Sequence, residues 1–246
     1  MIVYGVRATR LLPTFRQIFC SEEHAIAFLR TCVGKGEVDG WEDDPDFAPL
    51  VHPVAKSLVN QIHEIVEVAD TTKSHYLRLV LLLTGAESVS KIVHKYHGGG
   101  YSRRYCKLFF DDFCQELHCA QSLVELVSAS SLTAAVDELY DLRCKAIHEG
   151  WLEDWRGFPN WQLSNDKAYS VLRHVFVAGA VRAVHKAMDI ECLASLCPGH
   201  DFVPHVLCST NLCGYEATFR SDIDNKAHEA DRIREVLQKV FRKTNG

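Results

Sequence analysis

The chain has no apolar run near the roughly 18 residues that cross a bilayer, no internal repeat and no low-complexity stretch. The first lack predicts a protein without a membrane span. There is no glycine-rich phosphate loop. Gly98-Gly99-Gly100 follows an apolar segment and opens no helix, so it reads as a turn. There is no G-x-S-x-G motif, which removes the usual signal of a nucleophile-elbow hydrolase. There is no basic excess either. A net charge of −5 over 246 residues argues against non-specific coating of nucleic acid and leaves room for a local basic cleft. The first residues lack an uninterrupted apolar core, because Arg7, Arg10 and Arg16 break it, so no secretory leader is expected. The ten cysteines are then expected as reduced thiols in a cytoplasmic protein. Cys106, Cys114 and Cys119 fall into helical patterns and read as small buried hydrophobes.

What is present is helical periodicity. Residues 1–19 read as a short strand and turn ending at Pro13. Ser21-Glu22-Glu23 then opens a helix that Gly34 stops. Residues 34–53 carry Gly, Pro and the acidic run Glu42-Asp43-Asp44-Pro45-Asp46, a solvated linker. Val54, Leu58, Ile62, Ile65 and Val66 recur at helical spacing, with His63 beside them as a packing or surface residue. A very apolar helix from Lys73 to about Tyr96 ends at the glycine triplet. Ser102 to about Val127 reads as one helix. Its Tyr105, Leu108, Phe109 and Phe113 are expected in the core, with a base-stacking surface as the alternative. Ser130 or Ser131 caps a helix whose buried stripe is Leu132, Val136, Leu139 and Leu142, and Gly150 stops it. A loop holding Trp151, Trp155 and Trp161 leads to Asn165-Asp166, which starts a helix to about Ile190. The predicted fold class is mainly α, an antiparallel helical bundle with short β or irregular N- and C-terminal extensions. Its parts are an N-terminal extension (1–53: strand, helix, acidic linker), the bundle (54–190) and a cysteine-containing extension (191–246) ending in a charged helix.

The chemistry concentrates in Leu139-Tyr140-Asp141-Leu142-Arg143-Cys144-Lys145-Ala146-Ile147-His148-Glu149-Gly150. Spacing alone carries little weight, since random order gives about two Arg–His pairs at this separation; the setting at a helix end carries more. A histidine at a helix C-terminus feels the negative end of the dipole, which favours imidazolium and suits a general acid. Arginine presents a planar fork that matches phosphate oxygens. Together they suit RNA cleavage by internal transfer. The 2′-OH attacks the adjacent phosphorus, histidine moves the protons, and arginine stabilises the phosphorane charge. DNA lacks that nucleophile, and no metal or other cofactor is called for. On a continuing helix, five residues turn about 140°. The two side chains therefore converge only if the helix ends near His148.

Tyr140, Arg143, His148 and Gly150 resemble the Tyr-x-x-Arg, four-to-six residues, His, Gly pattern of the HEPN superfamily, most closely its abortive-infection (Apea-like) branch. The apolar helix ending in Ala86-Glu87 is similar to that family's first core helix. The resemblance covers roughly residues 54–190. It implies a metal-independent endoribonuclease in a defence or toxin-like role, with Arg143 and His148 catalytic. Glu87, Tyr140, Cys144 and Lys145 would support them. It also implies a homodimer in which two helix ends face each other across one cleft that takes RNA, not DNA. One position departs from the pattern: Cys144 stands where the family usually has Asn, Asp, His or Ser.

A second constellation is Cys192, Cys197, His200, Cys208 and Cys213. Cys197-Pro-Gly-His200 and the gap from Cys208 to Cys213 are weak zinc candidates beside a reading as buried thiols. Two further readings therefore stand next to the nuclease. One is a non-catalytic helical dimerisation or interaction module, in which Arg143 merely pairs with Glu87. The other is a zinc-stabilised nucleic-acid or protein adaptor.

Overall fold

The computed structural model describes residues 6–34, 38, 53–148 and 165–188. Among them are eight α-helices, one 3-10 turn (Arg16–Ile18) and no extended strand. The helices are α1 (Val6–Phe15), α2 (Glu22–Val33), α3 (Pro53–Thr71) and α4 (His75–Val93), then α5 (Ser102–Phe113), α6 (His118–Val127), α7 (Leu132–His148) and α8 (Asn165–Ala187). The mainly helical bundle expected from periodicity is what these residues form.

Helix α4 is the hub and packs against α3, α5, α7 and α8. Its apolar residues cover most of its circumference, and Tyr76, Leu79, Leu82, Leu83, Ala86 and Val89 are all buried. Gly85 lies where α4 meets α3 and α8. A Cβ there would stand 2.9 Å from Phe176 Cζ and 3.1 Å from the Ile65 side chain. The central helix is thus set close by the absence of one methyl group. At the far end of α3, Asp70 accepts hydrogen bonds from Arg173 Nε (3.0 Å) and Nη2 (3.1 Å) and from the Tyr169 hydroxyl (2.5 Å). This staples α3 to α8.

The helix starts follow from capping chemistry. Ser21 Oγ accepts from His24 N, and Gly34 ends α2 with φ 103°. Ser131 Oγ accepts from Ala134 N at 3.2 Å, which fixes the start of α7.

Two expectations are corrected. The strand expected in the N-terminal extension is instead helix α1, with Pro13 inside it. A proline in a helix interior costs about 3 kcal/mol. Leu11 and Phe15 are buried by that helix, each gaining about 1.5–3 kcal/mol, and Ile18 and Phe19 follow them into the core. Burial outweighs the lost hydrogen bond. The single helix expected over Ser102–Val127 is broken between Phe113 and His118. Leu117 adopts an extended conformation (φ −79°, ψ 137°), and Cys114 is fully buried against α8, its Sγ 3.8 Å from Val175 O. No Gly or Pro marks this break; tertiary packing makes it.

Helices α1 and α2 pack on α3, and the 3-10 turn packs on α8. Phe28 meets Phe15 at 5.4 Å and the His185 ring edge-on at 5.5 Å. The buried apolar side chains of the first two helices and of the bundle form one cluster. The Trp loop, Gly150 and the whole 191–246 segment lie outside the described residues.

Candidate functional site

Thr84, Glu87 and Lys91 are three and seven residues apart on α4, so they share one polar strip on an otherwise apolar helix. Glu87 is buried, and an unpaired carboxylate there would be costly. Two cations offset that cost. Lys91 Nζ donates to Glu87 Oε1 at 2.6 Å, and Arg143 Nη2 lies 3.7 Å from Glu87 Oε2.

Arg143 reaches this carboxylate from α7. The buried side chains of Val136, Leu139 and Leu142 hold that helix against the bundle and so set the direction of its neighbours. Arg143 Nη1 donates to Tyr140 Oη at 3.0 Å, and Nη2 donates to Thr84 Oγ1 at 3.5 Å. Its Nε is buried and has no hydrogen-bond partner among the described residues. Burial pushes the Tyr140 hydroxyl above its ordinary range, with Arg143 pulling partly back. The hydroxyl therefore stays protonated at neutral pH. While it accepts from Arg143, it keeps its own proton to donate. Cys106, fully buried nearby, is pushed up to about 12 by burial and stays a neutral thiol.

The structure thus brings Arg143, Tyr140 and Glu87 together, as three of the expected site residues. It does not bring His148 to them. His148 stands exposed in the last helical turn of α7. Five residues from Arg143, it is turned about 140° around the axis. Lys145 is also exposed, and Cys144 is half-buried, packed against the core. Within one chain the arginine faces α4 and the histidine faces outward.

Sequence reading missed Thr84 and Lys91. The Glu87–Lys91 pair has the i, i+4 order that favours helical ion pairs, and that spacing was visible in the chain. Thr84 carried no comparable signal. Comparison with family models, curated proteins and solved structures returns no match to this chain. The zinc candidates Cys197, His200, Cys208 and Cys213, with Cys192, fall outside the described residues. Among the described residues no group of three or more His, Cys, Asp or Glu is placed to hold a metal ion. No single helix among them is long and apolar enough to cross a membrane.

Proposed function

We propose that this chain is a metal-independent endoribonuclease of the HEPN type, an antiparallel HEPN-like bundle in which Arg143 binds the scissile phosphate and His148 transfers protons. The observation that carries the reading is the state of Arg143. It is oriented by two hydrogen bonds, to Tyr140 and Thr84, and by a loose 3.7 Å pair with Glu87, which together use only part of its N–H donors. A guanidinium fixed in direction but not saturated is what phosphate recognition needs. Tyr140 adds a protonated hydroxyl beside it. Lys145 and the half-buried Cys144 flank the pair on the same helix.

The outward His148 gives this site its second requirement. One chain supplies an arginine on one side of α7 and a histidine on another, so a two-sided site takes a second copy, with the α7 ends facing. The protein acts in this reading as a cytoplasmic homodimer on RNA, in a defence or toxin-like role. The test is a labelled RNA incubated with purified protein in EDTA. Cleavage leaving 2′,3′-cyclic phosphate ends, lost in both Arg143→Ala and His148→Ala, is the expected result. Retained cleavage in either variant defeats the reading. Sedimentation showing an active monomer defeats the dimer.

A specific observation favours a second reading. Arg143 meets three side chains, and that alone would make a structural network in a non-catalytic interaction module. In that case no RNA is cut under any condition, and Arg143→Ala lowers stability. A zinc-stabilised adaptor is the third reading, and stoichiometric zinc in the purified protein would be its mark.

A further inference from the structure

Beside the Arg143 cluster, an open groove of about 630 Å³ lies along α5 and reaches Tyr140 of α7. That volume is in the range of small-ligand sites. Tyr101 forms its rim and is 65% exposed, the most exposed large apolar side chain among the described residues. It holds φ 56°, a conformation that non-glycine residues rarely keep. Its ring meets Tyr96 edge-on at 6.2 Å, and Tyr96 stacks on Tyr105 at 4.7 Å. Tyr101 is therefore the outer and most exposed member of a three-ring set.

Tyr140 lies under the groove and joins it to the candidate site. The guanidinium carbons of Arg103 and Arg143 each stand 5.0 Å from its ring centre. The cations divide into two kinds. Arg103 is paired with Asp137 and Asp141, and Lys107 with Asp137 at 2.7 Å. Arg104 is exposed and makes no ion pair among the described residues, so it is the groove wall's uncommitted cation.

We propose that this groove seats a short single-stranded stretch of RNA, with one base stacked on Tyr101 and one phosphate on Arg104, leading the strand toward Arg143. The choice of RNA rests on the nuclease reading; the single-stranded character rests on the groove itself. An unstacked base offers a π-face to Tyr101, and a duplex offers none. One exposed ring beside one open cation fits a nucleotide or two, not an extended basic track.

The experiment measures anisotropy of a fluorescent single-stranded oligoribonucleotide against the full chain carrying His148→Ala, which separates binding from cleavage. Tyr101→Gly keeps the left-handed backbone and removes the ring. It should weaken binding about tenfold, while Tyr101→Phe retains affinity. Arg104→Ala should weaken binding about fivefold and lower the salt dependence by about one counterion. Lys186→Ala, an exposed cation on α8, serves as the control and should bind as the parent. The same RNA annealed to its complement should bind at least tenfold more weakly. In the cleavage-competent protein, Tyr101→Gly and Arg104→Ala should raise KM and leave kcat near its original value. Unchanged affinity in both groove variants, or equal binding of the duplex, overturns the groove. If RNA is bound in a Tyr101-dependent way but never cut, the groove stands and the nuclease reading falls. If cleavage needs His148 while KM ignores Tyr101 and Arg104, the reverse holds.

Discussion

Arg173 and Arg143 each reach from one helix to a carboxylate on another. Their side chains are equally covered, 13% and 15% exposed. Yet Arg173 lays two nitrogens on Asp70 at 3.0 and 3.1 Å, with the Tyr169 hydroxyl on the same carboxylate. Arg143 keeps its carboxylate at 3.7 Å and shares it with Lys91. Its shortest bond, 3.0 Å, goes to a neutral hydroxyl, and its Nε donates to nothing described. Burial being equal, geometry separates them. A bidentate pair uses up the fork and staples two helices; a loose pair aims the fork and leaves donors over. The same residue type thus makes a tight interhelical clamp on α8 and a loosely held guanidinium on α7, the one the proposed function would use.

The largest effect should come from the loosely held arginine. Arg143→Ala is expected to lower RNA cleavage by about a hundredfold or more while moving the urea midpoint little. A large loss of stability with cleavage intact would erase the contrast. Asp70→Ala should do the opposite. It strands Arg173 and Tyr169, and water at the half-exposed carboxylate softens the loss, so about 2 kcal/mol is expected. Cleavage below the unfolding transition should be unaffected. Urea titrations at constant m read the first effect, and initial rates read the second.

Acid sharpens the contrast further, because stability has a titrating group of its own. His185 is fully buried and its value is pushed down to about 3, burial being the main cause and Arg182 the second. The unfolded chain takes up that proton near pH 6.5 and the native one does not. Stability is therefore complete above pH 6.5 and falls as pH drops below it, by about 1.4 kcal/mol per unit. His63 is shifted in the same direction by burial, with Glu67 opposing. Replacing His185 by Gln should flatten the slope between pH 6.5 and 5. An unchanged slope would move the effect to His63 or to the carboxylates.

The smallest effect concerns Cys144. A thiol is a weak hydrogen-bond donor, so Cys144→Ser or Cys144→Asn should keep the fold and raise the cleavage rate about fivefold, on the order of 1 kcal/mol of transition-state stabilisation. If both changes abolish cleavage with circular dichroism intact, the thiol itself belongs to the site.

What could be read in the chain was whatever local chemistry decides. Ser21, Gly34 and the Ser130-Ser131 pair announced helix ends because capping needs only near neighbours, and Ser131 is the one that caps. The stripe on α7 and the apolar wrap of α4 announced burial. Glu87 and Arg143 were placed together through the resemblance, and they do meet. What escaped was decided by distant partners. Pro13 looked like a stop, and its helix exists because Leu11 and Phe15 find the core. The break after Phe113 depends on α8, more than fifty residues away. Thr84 joins the site only because α7 crosses beside it.

Gly85 links the bundle's interior to the aim of its polar strip. It stands two residues before Glu87, and the close approach it allows to Phe176 and Ile65 sets the height and rotation of that whole turn of α4. Substitutions at these three positions are therefore expected to interact. A bulkier residue at 85 needs room from the side chains at 176 or 65, and any resulting shift of this turn would carry Glu87 with it. Descendants of this chain can retune the grip on Arg143 from inside the core, leaving every residue of the site in place.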